Sequence, residues 1–302
     1  MKTDKDVMLE KGIRMLYLSG FDFPDREREY DFTMAQKRNC YDTYYPFLVL
    51  SQHQMTHLEF EPVTILYGGN GSGKTTALNI IAEKLQLKRD ALYNRSNFFE
   101  EYTTLCDYEL ESGIPKKSCI ITSDDVFDYM LNLRSLNEGI DRKREELFEE
   151  YLDAKYAKFQ YRSLEDYERL KQINLARSKT QTKYVRENLM DNVRERSNGE
   201  SAFQYFTEKI QEDGLYLLDE PENSLSPARQ QELLQFLEDS VRFFGCQFII
   251  ATHSPFLLSM AGARIYDLDE EVVRVKRWTD LENVRAYYDF FKKYEEEFDE
   301  GI

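Results

Sequence analysis

The feature that most constrains the fold of this chain is a glycine-rich motif, G-x-x-x-x-G-K-T, which runs from Gly68 to Thr75. The motif lies between the apolar run 63–67, which predicts a strand, and residues 77–85, which predict a helix. In this context the backbone N–H groups of the loop can surround a phosphate, and the helix N-terminus adds its positive dipole end. The length and context of the motif favour a phosphate loop over a glycine-rich turn without chemistry.

Two side chains of the loop have separate expected tasks. Lys74 is placed to reach the β- and γ-phosphates of a nucleotide, and the hydroxyl of Thr75 is placed to hold Mg²⁺. We therefore predict that the chain binds a nucleoside triphosphate together with Mg²⁺. The residues predicted to bind the nucleotide are Gly68, Asn70, Gly71, Ser72, Gly73, Lys74, Thr75 and Thr76.

The composition limits the class of protein. With 302 residues, of which 41% are hydrophobic, the chain can form one large α/β domain or a domain with a sizeable insertion. The formal net charge of −16 disfavours a surface that binds nucleic acid without specificity. The four cysteines are scattered, so neither a zinc site nor a disulfide framework is predicted. Because long apolar runs are absent and residues 1–12 are too polar for a signal peptide, we expect a cytoplasmic protein.

The order of the predicted elements indicates an α/β fold that is interrupted by a helical segment. Residues 126–196 are rich in Glu, Lys, Arg, Leu and Tyr, and apolar residues recur there at helical spacing. We predict an α/β P-loop NTPase domain formed by residues 1–125 and 197–302, with residues 126–196 inserted as a helical arm or lid. A solvated helical subdomain without chemistry is the alternative for the insertion.

Two adjacent acids follow the apolar run 215–218, which predicts a buried strand. A parallel strand delivers the residues at its carboxyl end to the sheet edge where the phosphate loop also lies. Asp219 is therefore a predicted ligand of Mg²⁺, and Glu220 is the predicted general base that orients and deprotonates the attacking water. Two solvated acids at a strand end are the alternative.

A histidine follows the next predicted strand, residues 247–252. At that place the imidazole of His253 can contact a γ-phosphate oxygen. A structural histidine is the alternative, but the order of the motifs along the chain favours a sensor of the γ-phosphate. Glu220 and His253 are thus the predicted catalytic residues.

The order of these motifs resembles that of the ATP-binding cassette (ABC) superfamily. The shared elements are the phosphate loop, an S-x-G-[QE] element at 197–200, an Asp-Glu-Pro strand end at 219–221 and an Ala-Thr-His strand end at 251–253. Within the superfamily, the chain is similar to the soluble branch that includes the structural-maintenance-of-chromosomes and double-strand-break repair ATPases. It is more similar still to small bacterial predicted ATPases of the AAA type. The resemblance covers residues 57–125 and 195–278.

The resemblance implies a Mg²⁺-dependent ATPase with an ABC-type nucleotide-binding domain that closes as a head-to-tail homodimer around two ATP molecules. In such dimers Ser197 and Gly199 would contact the γ-phosphate held by the other protomer. Residues 224–227 would form the D-loop at the interface, and His253 would be the switch histidine. The leading hypothesis is an ATP-gated dimer whose arm transmits closure to a protein partner, without a membrane.

The sequence departs from the family pattern at several positions. Asn198 replaces the usual first glycine of the signature element, and Arg196 replaces the usual leucine. The strand that ends near Thr122 is followed by Ser123, Asp124 and Asp125 and not by the usual Q-loop glutamine. For the aromatic residue that stacks on adenine, the sequence offers two candidates, Tyr45 and Phe47.

Three other functions compete with the leading hypothesis. The first is a nucleic-acid-acting module in repair or anti-phage defence, for which the locally basic stretch 177–186 could track a backbone. A solvated helix face is the alternative for that stretch. The second is an ATP sensor in a toxin or defence complex whose nuclease is encoded elsewhere. The third, the motor subunit of a membrane transporter, is disfavoured by the charged insertion and the altered signature.

Overall fold

The computed structural model describes residues 15–37, 41, 43–158, 167–189 and 198–299. The chain divides into two compact units, Met1–Phe127 together with Asn198–Ile302, and Asp128–Ser197. The described strands all lie in the larger unit. In chain order they are β1 (Leu18–Asp22), β2 (His57–Glu59), β3 (Val63–Tyr67), β4 (Asp107–Leu110), β5 (Cys119–Thr122), β6 (Leu215–Asp219), β7 (Gln247–Ala251), β8 (Arg264–Asp267) and β9 (Arg274–Lys276).

The helices of the larger unit lie on both sides of the insertion in the sequence. One long helix, α4, begins in the larger unit and continues into the smaller one. The α-helices are α1 (Arg26–Ala35), α2 (Lys74–Lys84), α3 (Phe99–Thr104), α4 (Ser123–Tyr156), α5 (Tyr167–Ser178), α6 (Gln181–Asn188), α7 (Asn198–Lys209), α8 (Pro227–Phe243), α9 (Pro255–Leu258), α10 (Glu282–Lys293) and α11 (Glu295–Asp299).

A six-stranded sheet forms the centre of the larger unit, with the strand order β5-β6-β7-β3-β8-β9. The first five strands in this order run parallel, and β9 pairs antiparallel with β8. Every residue of β3, β6 and β7 is buried, as expected for parallel strands that are covered on both faces. The parallel order brings the carboxyl ends of β3, β6 and β7 to one edge, where the phosphate loop begins.

A second, antiparallel sheet has the order β2-β1-β4. The buried side chain of Gln247, the first residue of β7, connects this sheet to the larger one. Its Oε1 accepts hydrogen bonds from the backbone N–H groups of Tyr17 (2.8 Å) and Leu18 (2.9 Å), and its Nε2 donates to the Leu18 carbonyl (2.7 Å). These bonds satisfy polar groups that would otherwise be buried without partners.

A buried carboxylate on α1 holds the segment that precedes the phosphate loop. Glu29 is fully buried, and its Oε2 accepts hydrogen bonds from the Leu48 N–H (2.7 Å) and the Ser51 hydroxyl (2.6 Å). Burial raises the pKa of Glu29, although these hydrogen bonds oppose the shift. The neighbouring Leu50 lies so close to Gly73 that a Cβ added there would be 2.9 Å from its Cδ2. Glu29 thus supports one wall of the phosphate loop.

The smaller unit is helical in the part that the structure describes, and it has a small core of its own. Its basic stretch, proposed above as a possible nucleic-acid contact, is engaged in internal contacts. Arg177 donates to the carbonyls of Lys155 (3.4 Å) and Ala157 (2.9 Å), and Lys179 pairs with Glu187. These contacts are typical of a solvated helix face. The core residues are Leu147, Tyr151, Ala176, Tyr184 and Val185.

The predicted α/β fold class is confirmed by the parallel sheet and by the strand–loop–helix unit around the phosphate loop. The predicted strand at 63–67 is confirmed, as are those that end near 219 and 251. Sequence patterns did not place α1, α3 or β4. Ser123, Asp124 and Asp125 form the first turn of α4.

Candidate active site

The phosphate loop connects the end of β3 to the start of α2. Gly71 and Gly73 have positive φ angles of 87° and 93°, in the left-handed region that glycine adopts without strain. A side chain at Gly73 would also collide with Leu50. The φ angles explain why glycine is required at both positions, and the contact with Leu50 is a second reason at Gly73. The amide groups of the loop directly precede the N-terminus of α2, where an anion is favoured.

The Lys74 ammonium group is buried within the loop. Its Nζ donates hydrogen bonds to the carbonyls of Gly68 (2.6 Å) and Gly69 (2.9 Å), and it lies 4.0 Å from the Glu220 carboxylate. A buried cation held mainly by neutral carbonyl groups is suited to an anionic ligand, because its charge is only partly compensated.

Two hydroxyl side chains next to Lys74 have different environments. The Ser72 hydroxyl is buried and makes no hydrogen bond within the described residues, so the loop contains an orphaned polar atom. The Thr76 hydroxyl forms a 3.2 Å hydrogen bond with the hydroxyl of Tyr45. Asn70 is exposed at the tip of the loop. The orphaned hydroxyl is one observation that fits a phosphate group in this loop.

Asp219, the last residue of β6, lies opposite Thr75, whose hydroxyl donates to Asp219 Oδ1 over 3.1 Å. The pKa of Asp219 is raised to about 6, chiefly by burial and also by the charge of Glu220, while the Thr75 hydrogen bond and the charge of Lys74 oppose the shift. A divalent cation would favour the ionised carboxylate and would fit this pair of oxygen ligands.

The described residues contain no group of three or more His, Cys, Asp or Glu side chains that could hold a metal ion. A Mg²⁺ ion at Thr75 and Asp219 would therefore depend on phosphate and water oxygens for its other ligands, as is common for Mg²⁺ at nucleotide sites.

Glu220 begins the short 3₁₀ turn that follows β6, and its backbone is in the left-handed region with φ of 48°. A non-glycine residue in this region is held by its surroundings. The Glu220 N–H donates to the Ala251 carbonyl (2.8 Å), and Oε2 accepts from Asn223 Nδ2 (2.9 Å). Its other oxygen, Oε1, lies 3.9 Å from His253 Nδ1. The structure thus brings Glu220, Lys74 and His253 together.

His253 is 47% exposed, so its imidazole is accessible from solvent. Its Nδ1 lies 3.7 Å from Glu222 Oε1, and its backbone N–H donates to the same oxygen over 3.0 Å. The backbone carbonyl of His253 accepts a 2.8 Å hydrogen bond from Asn283 Nδ2.

Glu222 is a residue of the site that the sequence patterns did not indicate. Its buried Oε1 accepts hydrogen bonds from the Thr252 hydroxyl (2.6 Å), the His253 N–H (3.0 Å) and the Ser254 N–H (3.2 Å). The Glu222 Oε2 is buried and has no hydrogen-bond partner among the described residues. Glu222 therefore joins the turn after β6 to the turn after β7.

Asp269 is a second residue that the patterns did not indicate. Its carboxylate accepts the Gly69 N–H at 2.8 Å and 3.0 Å, and its own N–H donates to Asp267 Oδ1 (3.0 Å). Asp267 in turn pairs with Lys276 over 2.8 Å. This chain of contacts ties the β8–β9 hairpin to the first turn of the phosphate loop.

Of the two candidates for stacking on adenine, Phe47 lies in the core, where its ring stacks on Phe32 with the centroids 4.2 Å apart. Tyr45 is half-buried, and its hydroxyl contacts Thr76 of α2. The geometry therefore leaves Tyr45 as the candidate beside the phosphate loop.

The acid at the expected Q-loop position has a structural role. Asp125 is buried, and its carboxylate accepts hydrogen bonds from the backbone N–H groups of Ala91 (2.6 Å) and Thr122 (2.6 Å) and from the Thr122 hydroxyl (2.7 Å). Because both carboxylate oxygens accept hydrogen bonds from Ala91 and Thr122, Asp125 is not available to take the place of the Q-loop glutamine.

Of the two predicted signature residues, Ser197 lies outside the described residues. Gly199 is at the start of α7, where a Cβ would lie 3.7 Å from the Ser224 carbonyl oxygen and 4.0 Å from the Ser226 nitrogen. The start of α7 thus packs against the segment predicted to be the D-loop, and its nearest neighbours are not those of the phosphate loop.

A family model described as "AAA domain, putative AbiEii toxin, Type IV TA system" matches residues 126–259, which is less than half of the chain. The matched range contains Asp219, Glu220 and His253 and ends before Asp269. The predicted resemblance to AAA-type ATPases, and the enzyme class that it implies, are confirmed by this match.

Solved structures with a related fold include the Smc head domain of Pyrococcus furiosus bound to the C-terminal domain of ScpA. It is 14% identical with a TM-score of 0.37, over 78% of this chain and 94% of that one. The SMC head domain of Thermotoga maritima is 15% identical with a TM-score of 0.32, over 73% and 92%. A dimeric ATP-binding cassette with bound ADP and Pi is 14% identical with a TM-score of 0.33, over 75% and 91%.

No curated protein matches the sequence. Among the residues that the structure describes, no helix combines the length and the apolar character that crossing a membrane requires.

Proposed function

We propose that the chain binds ATP with Mg²⁺ and hydrolyses it, and that it closes as a head-to-tail homodimer that signals to a protein partner. The observation that carries the proposal is the meeting of side chains from three separate sequence segments at one sheet edge. Thr75 lies 3.1 Å from Asp219, and Glu220 lies 4.0 Å from Lys74 and 3.9 Å from His253. The family match, which describes an AAA domain, supports the same activity.

The residues of the loop fit a nucleotide phosphate. The loop amide groups, the orphaned Ser72 hydroxyl and the Lys74 ammonium group are the donors that would hold the phosphates. Thr75 and Asp219 would hold Mg²⁺, which, when bound, would neutralise phosphate charge in the site.

Glu220 is the proposed general base. Asn223 holds its Oε2 atom, which leaves Oε1 to accept a proton from water. His253 lies beside this oxygen on a strand end of its own, and its exposed imidazole would contact the γ-phosphate. Glu222 would position His253 through the backbone, since it accepts the N–H groups on both sides of the His253 peptide unit.

The dimer rests on the proposed signature element. Gly199 packs against Ser224 and Ser226, so that α7 and the proposed D-loop form one surface. A symmetric dimer would let this surface, with Ser197, complete the site of the other protomer and would give two equivalent sites. Residues 126–196 would be the arm that transmits closure to the partner.

Lys74→Ala tests the nucleotide site. The substitution removes the buried cation of the loop, so calorimetric titration with MgATP should show affinity reduced by about 100-fold or more, as expected for loss of a charge-assisted contact to phosphate. Lys84→Ala, at the other end of α2, is the matched control and should bind ATP as the wild type does. Equal affinities of Lys74→Ala and the wild type would overturn the assignment.

The description of the matched family favours a second candidate function, an ATP sensor within a toxin-type module. Under this proposal, induced co-expression of the wild-type chain and the toxic partner subunit arrests the growth of a bacterial host. The Lys74→Ala variant, expressed to the same level, would then allow growth. Arrest that is independent of Lys74 would separate toxicity from nucleotide binding and would count against the sensor.

A further inference from the structure

The last two helices of the chain present a cluster of aromatic side chains to solvent. Five of these side chains are between 50% and 60% exposed, and the rings contact one another. Phe290 lies 5.5 Å from Phe291 and 5.0 Å from Tyr294, and Phe291 lies 6.0 Å from Phe298, measured between ring centroids. Contiguous exposed patches of this kind mark interaction sites. The aromatic face consists of Tyr287, Tyr288, Phe290, Phe291, Tyr294 and Phe298.

Helix α10 is anchored at its N-terminal end. Leu281 is fully buried and Val284 is 7% exposed, and within 281–298 these two are the buried residues. The aromatic residues recur along the helix at the i, i+3, i+4 and i+7 spacing by which helices engage a partner. Packing within the chain does not account for these aromatic side chains, because they lie on the part of the helix beyond its buried N-terminal end.

The anchored end of α10 lies directly on the candidate active site. Asn283 donates through Nδ2 to the His253 carbonyl (2.8 Å), and its backbone N–H donates to the Tyr67 hydroxyl (3.3 Å). Tyr67 is the last residue of β3 before the phosphate loop. Asn283 therefore contacts the end of β3, where the phosphate loop begins, and the turn after β7, which carries His253.

The charges around the aromatic face indicate the chemistry of its occupant. Arg285 and Lys292 lie 5.1 Å and 5.7 Å from the centre of the Tyr288 ring, and Lys293 lies 5.2 Å from that of Tyr294, so cations of the chain itself engage these two rings. The charge that a partner would meet is therefore set by the acids beside the aromatic face. The acids Glu295–Glu297 follow on α11. The acids and the net charge of −16 oppose nucleic acid and oppose a second copy of the chain. A cationic protein segment with apolar side chains is complementary both to the aromatic rings and to the acids beside them.

We propose that the aromatic face is the docking site for a cationic helical segment of a partner protein. Through Asn283, occupancy of this face is coupled to the loop that carries His253. The coupling rests on the proposed function, in which His253 contacts the γ-phosphate. The docking surface itself depends only on the aromatic and acidic residues of α10 and α11.

The docking surface is tested with a labelled synthetic peptide in which Lys and Leu alternate at helical spacing. Fluorescence anisotropy should show binding to the wild type and affinity at least about tenfold lower for the Phe290→Ala/Phe291→Ala variant, because aromatic anchors dominate such interfaces. The Phe243→Ala/Phe244→Ala variant, which removes exposed aromatic rings from the end of α8, is the matched control and should bind as the wild type does. A peptide with Glu in place of Lys should not bind.

Three results would overturn the docking site. They are equal losses of affinity in both variants, equal binding of the Glu peptide, and a self-associated wild type that the Phe290→Ala/Phe291→Ala variant converts to monomers. The last result would assign the face to a second copy of the chain.

The coupling is measured with the same peptide in the presence and absence of MgATP. MgATP should change the peptide affinity of the wild type by about threefold or more, within the usual range of coupling between sites. Asn283→Ala should bind the peptide but show no change with MgATP. A change that persists in Asn283→Ala would contradict the link. Because the nucleotide-free titration involves no hydrolysis, failure of the proposed ATPase activity would leave its result unaffected.

Discussion

Glu222 illustrates how one buried carboxylate can position, through the backbone, a neighbouring side chain that is proposed to be catalytic. Its Oε1 accepts the Thr252 hydroxyl and the N–H groups of His253 and Ser254. These three donors lie about thirty residues later in the chain, in the turn that follows β7. The position of His253 therefore depends on a residue of the preceding motif.

Removal of this acceptor should release the His253 turn. In Glu222→Ala the Thr252 hydroxyl and the His253 N–H lose their acceptor, while the Ser254 N–H keeps its 3.0 Å hydrogen bond to the Thr252 hydroxyl. We expect the free energy of unfolding to fall by about 1–3 kcal/mol, with slower ATP turnover and retained ATP affinity. Glu222→Gln keeps an acceptor oxygen, so its stability and its rate of ATP turnover should fall less than those of Glu222→Ala. Chemical denaturation and phosphate release measure the two effects. Identical results for the Ala and Gln variants would contradict the positioning role.

The residues that sequence motifs could predict are those whose role is set locally. Lys74, Thr75, Asp219 and Glu220 each follow an apolar strand by a fixed spacing, and the parallel sheet brings them together. Glu222 and Asp269 have no such signal, because their partners are distant in the sequence. Asp269 and Gly69, for example, are 200 residues apart.

At the level of elements, α1 holds the segment next to the phosphate loop, because Glu29 accepts hydrogen bonds from Leu48 and Ser51. The folded state raises the pKa of this carboxyl by burial, so the contribution of Glu29 to stability is fully present at low pH and is lost as the pH rises through the raised pKa. Neutral glutamine at this position would not suffer that loss.

We therefore expect Glu29→Gln to be more stable than the wild type at pH 8, by about 2–4 °C in melting temperature, which corresponds to about 1 kcal/mol for a protein of this size. The difference should shrink toward pH 4, where the carboxyl is protonated in the folded state. Melting curves across this pH range provide the measurement. Glu59→Gln, a substitution of an exposed glutamate on β2, is the control. A difference in melting temperature between Glu29→Gln and the wild type that stays constant with pH would contradict a raised pKa of Glu29 as its cause.

The elements that sequence patterns predicted are those with a strong local signal. β3, β6 and β7 are continuous apolar runs because both faces of the parallel sheet are covered. β4, in contrast, is exposed along its whole length and pairs with β1, which lies about 90 residues earlier. Such a strand is fixed by its pairing and not by its own pattern.

At the scale of the whole molecule, the proposed function makes the candidate site half of a larger one. Gly199, Ser224 and Ser226 form a surface on the same unit as the phosphate loop, and the proposal places that surface over the phosphate loop of a second protomer. ATP would then hold the two protomers together, and hydrolysis would release them.

Light scattering measures this assembly. Glu220→Gln with MgATP should have twice the 36.0 kDa mass of the chain, because the nucleotide is held without turnover. Without nucleotide, and in Lys74→Ala with MgATP, the chain should remain a monomer. A Glu220→Gln variant that has ATP bound and is still a monomer would exclude the composite site.

Phosphate release from Glu220→Gln shows whether Glu220 activates water in an ATP site built by Lys74, Thr75 and Asp219. Glutamine has nearly the same shape and cannot accept the proton, so turnover should fall by about 100-fold or more while MgATP affinity stays that of the wild type. Glu232→Gln, at an exposed glutamate of α8, is the control. Hydrolysis by Glu220→Gln at the wild-type rate would contradict the account.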